Sequence, residues 1–285
     1  MGLFKTAVRQ YFGPNSQTAK RFIDTTNRLR LPLTDRLLDL PAPLVNSEHS
    51  MLVLWNAKSA SSTTLLWYFA SLGLLDDVIA SGLSPHAYRG QRFLGTGAHK
   101  RNRATKVLDD YFVVHVIRDP YLRAVSSYRH TLATGYADKR LAGRLDRRAG
   151  FSFSRYLDYL QSIDLARANV HHKLQRHRVE ELRRADRVIN VSRQDLLVEL
   201  NRLERERGMK VTDFSAFGDL LEQQETRRAR ETGFFGEDVA DRPLDVAAAR
   251  GEAPWPHYRQ FLNPTTRGRI ELLYAPDFQL FRDYL

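Results

Sequence analysis

The chain has 285 residues, 42% hydrophobic and 27% charged, with a formal net charge of +11 and a pI near 10.0, the size and balance of one large α/β domain. No run of about 18 apolar residues could span a bilayer, and the absence of cysteine removes disulfide frameworks, thiolate metal sites and cysteine nucleophiles. The positive charge favours polyanionic partners: nucleic acid, anionic lipid, an acidic glycan or a highly phosphorylated cofactor.

In chain order, residues 1–50 read as a basic N-terminal arm ending in Leu40-Pro41-Ala42-Pro43-Leu44, whose prolines suit an extended connector. Met1–Arg30 scatters charges among its apolar residues, so no secretory leader is expected. The run Met51-Leu52-Val53-Leu54-Trp55 suits a buried parallel strand, followed by a polar loop and a helix over Thr64–Leu75. A second unit of the same kind runs from a strand at Tyr111–Ile117, through Arg118-Asp119-Pro120, into a helix beginning near Tyr121. Asp119 is its N-cap and Pro120 its first helical residue. Arg187–Val191 reads as a third strand, and Ser192 with Asp195 as the capping pair of a helix that ends at Gly208. Asn263 and Pro264 open a last helix through about Tyr274.

Strands alternating with helices predict an α/β fold with a central parallel sheet flanked by helices, as one domain over 51–285. Such sheets bind ligands at the carboxyl ends of their strands, where both polar loops fall. Residues 139–150 and 209–257 are less regular, and are expected to shape an acceptor site.

The first loop reads Asn56-Ala57-Lys58-Ser59-Ala60-Ser61-Ser62-Thr63-Thr64. A lysine, small residues and consecutive hydroxyls between a strand end and a helix start suit an anion: backbone amides approach it closely, and the helix N-terminus adds partial positive charge. The plain structural alternative is a Ser/Thr-rich helix start beside a solvated lysine. A Walker loop is excluded, because no glycine lies between Gly13 and Gly73, and no carboxylate pattern for a metal accompanies it.

The second loop and helix read Val116-Ile117-Arg118-Asp119-Pro120-Tyr121-Leu122-Arg123-Ala124-Val125-Ser126-Ser127-Tyr128. Together with the first loop this resembles the sulfotransferases that use 3′-phosphoadenosine 5′-phosphosulfate (PAPS). In those enzymes a strand-end Arg and a helix Ser hold the 3′-phosphate, roles the resemblance gives to Arg118 and Ser126. It likewise makes the segment Lys58, Ser59, Ala60, Ser61, Ser62 and Thr63 the 5′-phosphosulfate loop, with Ala57 where the family commonly has proline. It implies the P-loop-like sulfotransferase fold. His171-His172-Lys173-Leu174-Gln175, Arg187–Leu197 and Leu273–Phe281 resemble the carbohydrate branch, with Leu174 replacing a proline; His171 and His172 on a helix surface is the plain alternative. The resemblance spans about Met51 to the C-terminus, apart from 139–150 and 209–257.

The implied function is transfer of a sulfuryl group from PAPS to a hydroxyl of a carbohydrate or glycoconjugate, an anionic one if the basic clusters at Lys100–Arg103, Lys139–Arg148 and Arg227–Arg230 line its groove. No metal, nucleic-acid partner or transmembrane anchor is expected. A bacterial cytoplasmic location, peripheral to the inner membrane if attached at all, is the implied setting. Lys58 would stabilise the leaving bridging oxygen. The base is sought among His86, His99, Asp109 and Asp110, with His86 preferred because imidazole accepts a proton near neutral pH. His115, inside a strand, reads as a packed or pairing residue. Two alternatives stay open from sequence alone: a nucleotide-dependent kinase of related fold, and a basic nucleic-acid-binding protein.

Overall fold

The structure, a computed structural model, describes residues 41–102, 107–134, 145, 149–218, 231–232 and 236–285. Most of the N-terminal arm and the clusters at 139–148 (Leu145 excepted) and 227–230 lie outside the described residues.

The main sheet has four strands in the order β1 (Leu44–Asn46), β2 (Met51–Trp55), β3 (Phe112–Ile117) and β4 (Arg187–Asn190). β2, β3 and β4 run parallel, with Val53 opposite Val114 and Val116 opposite Ile189, while β1 folds back antiparallel on β2. The expected parallel sheet is therefore present as a mostly parallel one. It starts at Leu44, inside the segment read as an arm.

The helices are α1 (Ser61–Ser71), α2 (Leu75–Ala80), α3 (Pro85–Tyr88), α4 (Gly97–Asn102), α5 (Pro120–Thr134), α6 (Phe153–Gln161), α7 (Val179–Leu182), α8 (Leu196–Glu206), α9 (Val246–Arg250), α10 (Pro264–Leu273) and α11 (Ala275–Leu280). None among the described residues is long and apolar enough to cross a membrane.

Every residue of β2 is buried, because the pleat sends alternate side chains to opposite covered faces. Met51, Val53 and Trp55 join Leu65, Leu66, Trp67 and Phe69 of α1 and Leu200 and Leu203 of α8. Leu52 and Leu54 point the other way, onto Leu108, Val113 and Val179. A separate aromatic core joins α5, α6 and α10 through Tyr128, Phe153, Tyr156, Trp255, Phe261 and Ile270. This second core braces α5, the helix that carries Ser126.

Local chemistry sets the ends. Asp119 Oδ1 accepts from the backbone N–H groups of Tyr121 and Leu122, at 2.8 and 3.2 Å, and caps α5 as expected. Asp195 caps α8, accepting from Leu197 and Val198. Ser192 takes no part in that cap. Its Oγ accepts the Asp119 N–H at 3.1 Å and so ties the β4 loop to the β3 loop. α1 starts three residues earlier than the sequence implies, at Ser61, and stops before Gly73, whose φ of +69° suits glycine.

Candidate functional site

The candidate site is built where β2 and β3 end. After Trp55 the chain makes a tight loop in which Lys58 and Ala60 have φ of +69° and +53°, left-handed values that cost a side-chain-bearing residue about 1 kcal/mol each. Two such residues within three positions hold the chain in a curl that extended backbone could not make. α1 then begins on Ala60 without a side-chain cap. The N–H groups of Ser61, Ser62 and Thr63 find no acceptor among the described residues, so the positive end of an 11-residue helix stays open. Thr64 Oγ1 turns back to the Ala60 carbonyl at 3.1 Å. The Ser62 and Thr63 hydroxyls are half-buried and make no hydrogen bond among the described residues.

Gln175, fully buried, welds this loop to the end of β3. Its Oε1 accepts from Ser59 Oγ at 3.0 Å and from the Arg118 N–H at 2.9 Å, and its Nε2 donates to the Arg118 carbonyl at 2.8 Å. Its own N–H donates to both oxygens of Asp277, and its carbonyl accepts from Asn56 Nδ2 at 3.0 Å. Ser59, named in the sequence as an anion contact, is thus buried and committed to Gln175. Its hydroxyl shapes the loop.

A second buried chain lies beneath. Asn56 Nδ2 donates to His115 Nε2 at 2.9 Å, which fixes the remaining ring proton on Nδ1, 2.9 Å from Glu180 Oε1. His115 is the pairing residue expected of it. Burial alone would raise the Glu180 carboxyl, but His115 and the His177 N–H hold it below the usual carboxylate range. His177 beside it is fully buried, and desolvation, then His115, push it down to about 3.

Arg118 and Lys58 meet: Arg118 Nη1 donates to the Lys58 carbonyl at 3.2 Å. Buried Arg123 donates from Nε to the Ala57 carbonyl at 3.2 Å and from Nη2 to the Val170 carbonyl at 3.4 Å. On α5, Arg123, Ser126, Ser127 and His130 form one i, i+3, i+4, i+7 stripe. Three of its members point at the site. Arg123 holds the first loop, Ser127 Oγ donates to the His171 carbonyl at 2.5 Å, and His130 stacks on His171 with ring centroids 4.1 Å apart. Ser126 lies between them, half-buried, with its hydroxyl making no hydrogen bond among the described residues.

Of the proposed bases, His86 is at the site. Its Nε2 lies 3.2 Å from Ser61 Oγ, and its ring packs at 5.7 Å on Trp55. It keeps a water-exposed edge while protein crowds its other sides, as for a group lining a cleft. That crowding, then Arg89 and Lys58, lowers its proton affinity. His99 does not reach the site: it accepts from Gly95 N–H within its own turn, on α4, whose Asn102 binds Ser47 near the start of β2. Asp109 and Asp110 immediately precede β3, at the end of the sheet opposite the loops, about 20 Å away. His172 is buried in a turn, bonded to Tyr156 and Tyr274, so the helix-surface alternative for His171 and His172 does not hold.

Sequence reasoning gave His130, Arg123 and Asp277 no role at the site. The α5 stripe was there to be read, since Arg123 and Ser126 already belonged to the motif and His130 follows at the next turn. Among the described residues no group of three or more His, Asp or Glu side chains is placed to hold a metal ion. Comparison of the chain with protein-family models, with curated proteins and with solved structures gives no match.

Proposed function

We propose that the chain is a sulfotransferase of P-loop-like fold that moves a sulfuryl group from PAPS to a hydroxyl of a carbohydrate or glycoconjugate. The observation that carries this reading is the direct joining of the two phosphate motifs. Arg118 is tied to Lys58 by its own guanidinium and to Ser59 through Gln175, so a ligand with anionic groups at two separated positions meets both motifs already assembled. Lys58, the N–H groups of Ser61–Thr63 and the free hydroxyls of Ser62 and Thr63 suit the 5′-phosphosulfate. Arg118, with Ser126 on the site-facing stripe of α5, suits the 3′-phosphate.

In the reaction the acceptor oxygen attacks sulfur while the bond from sulfur to the bridging phosphate oxygen breaks, releasing 3′-phosphoadenosine 5′-phosphate (PAP). Lys58 and the open helix end stabilise charge on that oxygen. His86 takes the acceptor proton: its lowered proton affinity keeps the imidazole neutral and able to accept at neutral pH. The test is incubation with sulfur-labelled PAPS and a panel of glycans and glycolipids in the presence of a chelator. Label should pass to a hydroxyl, and Lys58→Ala should abolish the transfer. No transfer of label, with transfer of γ-phosphate from ATP once magnesium replaces the chelator, overturns the reading in favour of a kinase.

A further inference from the structure

The stack of His130 on His171 is not used by the mechanism above, although it stands at the same site. His130 ends the α5 stripe that begins at Arg123. His171 belongs to the segment that leads to Gln175, and its carbonyl is held by Ser127 of that stripe. Both rings are half-buried, with centroids 4.1 Å apart and planes tilted by 35°, so two groups that could each carry a positive charge are pressed together.

Charged groups from several elements of the site act on the pair. Lys58 from the β2 loop, His86 from α3 and His172 from the turn bear on His130; Lys58, His172 and Arg123 of α5, together with His130 itself, bear on His171. These groups are cations or imidazoles. Burial first, and then these charges, hold the pair neutral, and it would gain a proton if a negative charge entered among them.

Resting on the donor reading for the identity of its natural ligand, we infer that the His130–His171 stack is a proton-linked anion contact of this site: a sulfuryl or phosphoryl group seated on the Lys58 loop draws one proton onto the stack. The proton comes from solvent, and no covalent bond is made or broken. The physical reason is linkage. Desolvation comes first among the causes that hold His130 down to about 4 and His171 down to about 2, and the Lys58 charge acts on both. A dianion beside Lys58 cancels that repulsion and pairs with the imidazolium it creates. Anion affinity then rises as pH falls, and the site prefers its ligand fully ionised while becoming more positive itself.

Inorganic sulfate is the direct probe, because it stays dianionic across the range in which the stack would titrate. Sulfate binding to the full chain is followed by NMR, through the imidazole nitrogens and the Ser61–Thr63 amides, from about pH 7.5 to about 5.5, beside His130→Gln, His171→Gln and His86→Gln. The expected result is affinity that strengthens by up to about tenfold per pH unit, with His130 or His171 nitrogens shifting toward the protonated form on binding. The steepening is lost in the His130 and His171 variants and kept in the His86 variant. The imidazole shifts in the unmodified chain do not depend on any variant folding. Absence of sulfate binding, binding without steepening, or steepening that only His86→Gln removes overturns the inference. PAP that binds no better than adenosine 5′-phosphate, alongside sulfate binding that steepens through His130, overturns the donor reading and leaves the stack's role standing.

Discussion

Arg118 Nη1 donates to the Lys58 carbonyl oxygen at 3.2 Å, joining two residues 60 positions apart in sequence that lie in the loops after β2 and β3. The contact uses the backbone of Lys58 and draws the curled loop toward the end of β3. Geometry that a ligand would otherwise have to organise is thus in place beforehand, and the energetic weight falls on the buried groups behind it.

Gln175 is the first of these. Gln175→Ala strands the buried Ser59 hydroxyl, at about 1 to 3 kcal/mol before relaxation, and takes partners from both main-chain groups of half-buried Arg118 at a smaller cost. Unfolding in urea should show a loss of about 2 to 4 kcal/mol, and anion binding should weaken with it. Unchanged stability would mean that the clamp between the loops is not energetically significant.

Ala60 is a place where the fold can be improved. At φ +53° a glycine removes a left-handed strain of about 1 kcal/mol while adding some unfolded-state entropy, so Ala60→Gly should leave stability equal or raise it by up to about 1 kcal/mol. A loss above about 1 kcal/mol would show that the loop does not hold this conformation.

Acid should unfold the chain through its histidines. His177 is held neutral at about 3, against the ordinary 6.5, so below 6.5 the unfolded chain binds the proton that the folded chain refuses. Stability is then complete above about 6.5 and falls as pH drops toward 3, with a slope of about 1.4 kcal/mol per pH unit for one group. His130 and His171 act in the same sense. Denaturation at stepped pH should show this slope reduced in His177→Gln; an equal slope would place the proton uptake elsewhere.

The role proposed for His86 carries a pH signature. Its proton affinity is lowered by crowding and by Arg89 and Lys58, so the acid limb of kcat/KM should fall at a pH below the ordinary histidine value. His86→Ala should cost about a hundredfold or more in kcat with little change in donor affinity. An acid limb that persists in the variant would pass the role to another group.

The sequence and the fold agree most closely where local chemistry decides. Met51–Trp55 is apolar throughout because both faces of β2 are covered, and that pattern needs no tertiary knowledge to read. The Asp119-Pro120 start of α5 and the Asn263-Pro264 start of α10 were equally legible, since a cap acts within its own turn. The bonds of Gln175 and Asp277 were not, although both residues fall in segments that resemble the carbohydrate branch, because their partners lie 57 to 119 and about 100 residues away and no local pattern marks such a bond. Ser59 shows the same limit from the other side: residue type suggested an anion contact, and only the packing of Gln175 against it reveals a structural hydroxyl. Asp109 and Asp110 were eliminated by topology alone, since parallel strands put everything that precedes β3 at the far edge of the sheet.

The most direct test of the central claim is calorimetric binding of PAP beside adenosine 5′-phosphate, for the unmodified chain and for Arg118→Ala and Ser126→Ala. PAP is expected to bind at least about tenfold more tightly than adenosine 5′-phosphate, worth about 1.4 kcal/mol, with Arg118→Ala removing most of this preference and Ser126→Ala reducing it. Equal affinity for the two nucleotides in the unmodified chain would contradict the claim.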